Sequence, residues 1–165
     1  MIRQATIHEA ATIAVHRAAM FHDMGEVSAA DVPVMITSMT PWFADRLANG
    51  DYVHWFVEDD GRIVAGGGVL LRDLWSMPQL LAPGRNGHIG NVYTEPAHRR
   101  RGLARLIMET ILDWCAGNAI DVVTLSASPQ GRALYEQLGF TDDSRAMRLF
   151  RLSSTDRRTP TYPRA

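Results

Sequence analysis

A short basic turn, Arg99 to Gly102, is the feature of this sequence whose residue types and spacing best suit chemistry. After it comes an apolar run with the 3.6-residue period of an amphipathic helix, ending near Cys115. The first N–H groups of a helix have no acceptor inside it, and together with the helix dipole they attract anions. The arginines add positive charge, and the small Gly102 and Ala104 let a bulky diphosphate approach the backbone. The pattern predicts a phosphate cradle built mainly from backbone.

Two other phosphate-binding motifs do not fit this sequence. The turn lacks the Lys-Ser/Thr ending of the nucleoside-triphosphate P-loop. Gly66-Gly67-Gly68 lacks the spacing of the dinucleotide fingerprint, and no helical pattern follows it directly. Glycine inside a strand marks a bulge or a close approach, so these glycines allow either a substrate or a helix to pass close to the strand. We expect helix packing there.

The elements on either side of the turn are needed to position it. Residues 88–94 are β-branched and aromatic, which predicts a strand, and Pro96 prevents its continuation. Further on, Ser128 suits a helix N-cap and Pro129 the first helical position, with Gly139 ending the helix after Leu138. A strand over residues 120–127 precedes this second helix.

Two motifs within these elements resemble those of the GNAT acetyltransferase superfamily. The first is Arg99-x-x-Gly102-x-Ala104, preceded by Val92-Tyr93-Thr94-x-Pro96, which resembles the family's acyl-CoA-binding motif. The second is Leu134-Tyr135-Glu136-Gln137-Leu138-Gly139-Phe140, which resembles the family's next motif. Because the two occur in the family's order, the pair is more specific than either alone. The clear resemblance covers residues 87–141.

The resemblance implies an α/β (α+β) fold of the GNAT type. Its central sheet would be mixed, mostly antiparallel and six- to seven-stranded, flanked by about four helices. Residues 1–152 would form a single acyl-CoA-binding acetyltransferase domain, and residues 153–165 a polar C-terminal tail. The co-substrate would be acetyl-CoA, with direct transfer to an amine in a ternary complex.

The family's coenzyme contacts can be carried over residue by residue. The Val92 N–H would polarise the thioester carbonyl, as an oxyanion-hole donor does. Ser128 stands where many family members carry an asparagine, and its hydroxyl can still donate. The full set of coenzyme-binding positions is Val92, Tyr93, Thr94, Arg99, Arg100, Arg101, Gly102, Leu103, Ala104, Arg105 and Ser128.

Two residues are assigned to catalysis. Tyr135 matches the family position whose hydroxyl lies near the coenzyme sulfur, and a phenol can donate a proton to a departing thiolate. His88 occupies the strand position, four before Val92, where some members carry a glutamate base, and histidine titrates near neutrality. Packing of Tyr135 on the core and an ordinary surface role for His88 are the structural alternatives. Glu95 is a second candidate base, and Asn91 is a candidate for orienting substrate.

Three functions compete. The first is an N-acetyltransferase acting on a primary amine of a small molecule or peptide. The second is a non-catalytic module of the same fold that binds or senses acyl-CoA. The third treats the arginines as a nucleic-acid patch, but Glu95, Glu109 and Asp113 dilute the charge, so no nucleic-acid partner is expected.

Composition supports a soluble protein of ordinary type. The 165 residues carry a net charge of −1, and 46% are hydrophobic. The single cysteine, Cys115, cannot form an internal disulfide and falls on the apolar face of its helix. The sequence shows no signal peptide, no apolar run of membrane-spanning length and no His/Cys/Asp/Glu spacing typical of a metal site. We therefore expect a cytoplasmic protein without metal or membrane partner. Family members often form homodimers, which leaves the oligomeric state open.

The remaining chain is predicted as follows. A strand over residues 2–5 precedes a helix that Thr6 and Glu9 open as a capping box and that runs to about Asp23. A second helix covers residues 34–48 and breaks near Pro41. A hairpin pairs residues 52–58 with 62–71, a long loop spans 74–87, and a hairpin over 140–152 closes the domain.

In the family the first two helices frame the acceptor pocket. By that analogy Met and aromatic side chains of these helices line the pocket, with plain core packing as the alternative. They are Met20, Phe21, Met24, Met35, Met39 and Trp42. Trp75 and Met77 in the long loop are assigned to covering the acceptor.

Overall fold

The N-terminal segment begins with a short strand and a capped helix. Strand β1 covers Ile2–Gln4, a 3-10 turn covers Ile7–Glu9, and helix α1 covers Ala10–Asp23. The Glu9 carboxylate accepts the Thr6 backbone N–H at 2.8 Å, which is the predicted capping box. The computed structural model that shows this describes residues 1–76, 82–120 and 122–143.

Helix α2 covers Val32–Asn49 and continues through Pro41 without a break. The predicted interruption at this proline was wrong. Phe43 is 1% exposed, and the partly buried Ile36 and Leu47 pack against the same core cluster on either side of the proline. Packing of an apolar face contributes more to helix stability than the single backbone bond that the proline removes.

A five-stranded sheet occupies the centre of the described chain, in the order β1-β2-β3-β4-β5. Its further strands are β2 (Tyr52–Asp59), β3 (Arg62–Leu74), β4 (Gly84–Thr94) and β5 (Val122–Leu125). The first four are antiparallel to their neighbours, and β5 runs parallel to β4. This confirms a mixed, mostly antiparallel sheet. Most of the hairpin predicted over residues 140–152 lies outside the described residues.

The predicted long loop over residues 74–87 is shorter than expected. The β3–β4 ladder continues through Arg72↔Asn86 and Asp73↔Arg85 to Leu74↔Gly84. Gly84, Asn86 and Gly87 resemble turn residues in the sequence, but cross-strand backbone bonds hold them in β4. Trp75 follows directly and is 83% exposed, and Met77 lies outside the described residues.

Helix α3, Leu103–Gly117, packs on the face of the sheet opposite α1 and α2. Alternation along β2 divides the two cores, since Tyr52 and Phe56 pack with α1 and α2 while Trp55 contacts Trp114 of α3. The described helices include none that is both long and apolar enough to cross a membrane.

The three consecutive glycines of β3 serve packing, as expected. A Cβ at Gly67 would lie 2.6 Å from Ile107 of α3. On the other face, a Cβ at Gly66 or Gly68 would lie 2.6–2.7 Å from the His54 ring. The glycines therefore bring α3 close to the sheet on one side and make room for a buried histidine on the other.

The chain divides into two compact units, Met1–Ser126 and Ala127–Ala165. In the second, helix α4 covers Arg132–Gln137, a shorter helix than predicted. Its N-cap is Gly131, where the sequence predicted Ser128. The Ser128 hydroxyl and carbonyl accept the Gly131 N–H, and the carbonyl also accepts the Arg132 N–H at 3.1 Å, so a turn starting at Ser128 leads directly into α4. The polar tail predicted for residues 153–165 lies outside the described residues.

Candidate active site

The predicted phosphate cradle lies at the N-terminus of α3. Gly102 occupies the N-cap position with φ +78°, a left-handed conformation that favours glycine. The first backbone bond of the helix runs from the Leu106 N–H to the Gly102 carbonyl, at 3.1 Å. Helix geometry thus leaves the N–H groups of Leu103 and Ala104 without an acceptor inside the helix. A Cβ at Gly102 would meet no atom within 4 Å, so the space beside these donors is open to a ligand.

The arginines of the turn are held by ion pairs. Arg99 donates to the Asp23 carboxylate at the end of α1 and, at 3.0 Å, to the Thr94 carbonyl. Arg101 donates to the Asp59 carboxylate of β2 at 3.0 Å. These contacts fix the turn between α1 and the β2–β3 hairpin and neutralise part of its charge. With these two arginines paired, the backbone N–H groups at the start of α3 remain the predicted main donors to an anion.

Arg100 of the turn and Arg105 of α3 are the two remaining arginines of the predicted cradle. Arg100 is exposed and itself adopts a left-handed φ of +63°. Arg105 lies 3.6 Å from Glu109, one helical turn further along α3. A surface pair of this kind contributes little to stability.

Strand β4 changes its pairing just before the cradle. Its register with β3 skips Asn91 and Val92 opposite Gly67, and Asn91 has a left-handed φ of +57°. Its register with β5 ends at Ile89↔Leu125. The segment from residue 90 to Thr94 therefore pairs with β3 alone in the described structure. This bulged, one-sided stretch carries the predicted coenzyme contacts Val92, Tyr93 and Thr94.

A series of hydrogen-bonded polar side chains, buried except for the partly buried Arg17, supports the bulge. Arg17 of α1 donates to Asn91 Oδ1 at 2.6 Å, and Asn91 Nδ2 donates to Tyr52 Oη at 2.8 Å. Tyr52 Oη lies 3.0 Å from His54 Nδ1. With Tyr52 accepting from Asn91, its own proton is directed at His54. Asn91 thus shares the α1 face with Tyr93, as predicted, but in this structure its side chain is held by protein groups.

Burial determines the protonation states of the side chains in this hydrogen-bonded series. The pKa of the Tyr52 phenol is raised by burial, so the phenol stays neutral. Burial also lowers the pKa of His54 to about 3, and that of His16, whose ring packs 5.2 Å from Tyr93, in the same direction. Both imidazoles are therefore uncharged near neutral pH.

His88 lies on β4 at the edge of the α1–α2 side. It pairs with Leu70, which packs against the α1–α2 core together with Tyr52, and residues paired across strands share a face. Its Nδ1 lies 3.0 Å from Thr124 Oγ1 of β5. If Nδ1 donates in this bond, the acceptor lone pair of the neutral ring is on Nε2. The ring is partly exposed.

The other residues singled out in the sequence lie in the core, at the end of β4 and on α1 and α2. Cys115 is 1% exposed and its pKa is raised by burial, which confirms its assignment to the core. Glu95 follows β4, where its N–H donates to the Val64 carbonyl and its carboxylate lies 3.7 Å from His98. The predicted pocket residues of α1 and α2 are all partly buried, and of these Met39 and Trp42 pack against the core cluster.

Tyr135 and Ser128 belong to the second unit. The Tyr135 ring packs edge-on against Phe140, at 6.2 Å between ring centroids, and closely against Gly131. Burial raises the pKa of its phenol, so the hydroxyl keeps its proton at neutral pH. Ser128 accepts the Gly131 N–H at 3.2 Å, which leaves its own hydroxyl proton available for donation.

Sequence analysis missed Arg17 as a site residue. The signal was present, because Ala10, Ile13, Ala14 and Arg17 follow the i, i+3, i+4, i+7 pattern of a buried helix face. A charged residue on such a face needs a partner. Its partner Asn91 is 74 positions away, a distance at which the sequence alone gives no contact information.

The bulged strand β4 of the mixed sheet thus leads directly into the exposed N-terminus of α3. A model of the acetyltransferase (GNAT) family matches residues 20–140, and the chain belongs to this family.

Several known proteins are similar to this chain. A glucosamine 6-phosphate N-acetyltransferase of Trypanosoma brucei brucei is 30% identical over 90 residues, which are 54% of this chain and 58% of that protein. Across the curated relatives, the matched part is between 26% and 65% of the relative's own length.

Two solved structures are also similar. A GCN5-related N-acetyltransferase from Ralstonia eutropha JMP134 has a TM-score of 0.82 and 27% identity, covering 91% of this chain and 97% of that one. A predicted acetyltransferase from Clostridium acetobutylicum, solved with acetyl-CoA, has the same TM-score and identity and covers 91% and 95%.

Proposed function

We propose that this chain is an acetyl-CoA-dependent N-acetyltransferase that transfers the acetyl group directly to a primary amine of a small molecule or peptide in a ternary complex. The observation that carries the proposal is the continuity of the bulged segment of β4, residues 90–94, with the open N-terminus of α3. One short segment thereby offers free backbone groups along a strand edge and anion donors beyond it.

These residues fit the coenzyme. The N–H groups of Leu103 and Ala104 would hold a diphosphate, with Gly102 allowing its close approach. Backbone groups of Tyr93 and Thr94 would pair with an extended amide-containing arm, because β4 has no β5 partner there. When bound, acetyl-CoA supplies an activated thioester whose carbonyl carbon an amine can attack.

The chain's own residues then perform three tasks. The Val92 N–H, at the bulge, would donate to the carbonyl oxygen as negative charge develops on it. His88 would take the proton of the attacking amine at Nε2 as the nitrogen–carbon bond forms. Tyr135 would give its phenolic proton to the sulfur as the carbon–sulfur bond breaks. The products are the amide and the free thiol, and the proton that His88 gains is returned to the Tyr135 phenolate through solvent, so that atoms and charge balance over the cycle.

Calorimetric titration with acetyl-CoA and with CoA tests the coenzyme site. Transfer is then followed by release of the free thiol in the presence of a panel of primary amines. We expect micromolar binding of both coenzyme forms and amine-dependent thiol release. Binding without thiol release for any amine would support the non-catalytic sensing module instead. Absence of binding of either form would refute the proposal.

A further inference from the structure

Arg17 is a partly buried cation on the face of the sheet where an acceptor would lie. Its guanidinium donates to the neutral amide oxygen of Asn91 at 2.6 Å and stacks on Phe21, with 4.8 Å to the ring centroid. Burial lowers the pKa of this guanidinium, although an arginine remains charged at neutral pH.

No carboxylate compensates this charge in the described part of the chain, residues 1–76, 82–120 and 122–143. Arg3, Arg99 and Arg101 each have a carboxylate oxygen within 4.0 Å, whereas Arg17 has none there. The hydrogen bond to Asn91 uses one of its five N–H donors. A desolvated charge without an opposite partner is unfavourable, so an anion bound here would relieve it.

Arg17 lies next to the segment of β4 to which the reaction is assigned. Asn91, its partner, immediately precedes Val92, and His88 lies on the same α1–α2 face three residues earlier. At about 3.3 Å per residue of extended strand, the backbone positions of His88 and Asn91 are at most roughly 10 Å apart. Flexible arginine and histidine side chains can bring their functional groups closer than this. One small molecule can therefore reach both groups.

We propose that Arg17 determines acceptor specificity by binding a carboxylate or phosphate of the acceptor, while the amine at the other end of the same molecule faces His88. This inference rests on the proposed acetyltransferase function and names its substrate class, a small amine that also carries an acid group. Peptide amines without a nearby acid would be poorer acceptors. Arg17 would act on binding, and the chemical step would remain with His88 and Tyr135.

Matched pairs of ligands test this specificity. ω-Amino carboxylates with three to six carbons are compared with their primary amides, and aminoalkyl phosphates form a third set that separates phosphate from carboxylate recognition. Each is measured by calorimetric titration in the presence of CoA and by acetyl transfer. We expect the wild type to prefer at least one acid series over the amides by about tenfold or more, the range of one charged hydrogen bond.

Arg17→Gln should abolish this preference, mainly through KM, and Arg17→Lys should retain part of it. Arg62→Gln removes an exposed arginine at the start of β3 and serves as the matched control, with the preference intact. If Arg17→Gln does not fold, a weakened preference in folded Arg17→Lys provides the comparison.

Several results would overturn the role of Arg17. They are equal binding of acids and amides by the wild type, no binding of either set, and an acid preference that survives in Arg17→Gln. Acetylation of neutral amines with no acid preference would leave the acetyltransferase function intact and refute only the specificity. Failure to bind CoA would instead refute the proposed function, and titrations of wild type and Arg17→Gln with the same acids in the absence of CoA would then decide whether Arg17 binds an anion.

Discussion

His88 Nδ1 lies 3.0 Å from Thr124 Oγ1, so the candidate base on β4 is oriented by a residue of the neighbouring parallel strand. The two residues are direct register partners, which places the contact where the β4–β5 ladder is still intact. One residue further along, at Ile89, the ladder ends. The His88 imidazole therefore lies beside the point at which, among the described residues, β4 loses its pairing with β5.

Replacing the imidazole tests its role as base. We expect His88→Gln to lower kcat by about 100-fold or more with little change in acetyl-CoA affinity, because a glutamine can bond to Thr124 but cannot accept the amine proton. Thr124→Val should give a smaller loss of kcat, since it removes only the orienting contact. A wild-type kcat in His88→Gln would show that His88 is an ordinary surface residue and not the base.

Tyr135 is tested by removal of a single oxygen. Tyr135→Phe keeps the ring against Phe140 and Gly131, so the second unit should retain its packing. We expect kcat to fall by about 100-fold while the dissociation constant of acetyl-CoA stays within a factor of two or so, because only the proton donor is lost. Steady-state kinetics and calorimetry measure the two quantities. An unchanged turnover number would exclude Tyr135 as the acid.

Gly102 is tested by comparison with a second left-handed glycine. Gly102→Val should raise the dissociation constant of acetyl-CoA about tenfold or more, because a β-branched residue is strained at φ +78° and fills the open space beside the helix N-terminus. Gly50→Val provides the matched control, since Gly50 has φ +80° and equally open surroundings at the end of α2. It should lose similar stability and keep its coenzyme affinity. If Gly102→Val binds acetyl-CoA as tightly as Gly50→Val, the predicted phosphate cradle at Gly102 is refuted.

The sequence predicted the elements whose signals are local. The capping box of Thr6 and Glu9, the apolar period after Gly102 and the packing role of Gly67 all depend on neighbouring residues or on a single face. The predicted break at Pro41 failed because the packing of Phe43 outweighs local propensity. Local patterns thus sufficed except where tertiary packing opposed them.

The contacts that organise the candidate site join distant positions. Arg99 and Asp23 are 76 residues apart, and Arg17 and Asn91 are 74 apart. The sequence showed a basic turn but gave no sign that Asp23 and Asp59 would neutralise two of its arginines. It also showed Asn91 in a strand without showing its left-handed bulge. Such pairings follow from how the elements pack, which no short window of sequence contains.

The buried His54 predicts a specific loss of stability in mild acid. His54 is 0% exposed, its Nε2 has no hydrogen-bond partner in the described structure, and its ring packs on Phe56 with 4.7 Å between centroids. Its pKa is lowered from 6.5 to about 3 in the folded protein, chiefly by burial. Below pH 6.5 the unfolded chain therefore binds a proton that the folded protein does not, and the free energy of unfolding falls as the pH falls.

At about 1.4 kcal/mol per pH unit for one such group, we expect His54 alone to remove roughly 1 to 1.5 kcal/mol of the free energy of unfolding between pH 7.5 and 5.5. Urea denaturation at the two pH values measures the difference. His54→Gln should lower stability at both values through lost packing, but the difference between them should shrink by about that amount. His16, whose pKa burial also lowers, accounts for part of what remains. An equal pH dependence in wild type and His54→Gln would show that His54 can be protonated without unfolding.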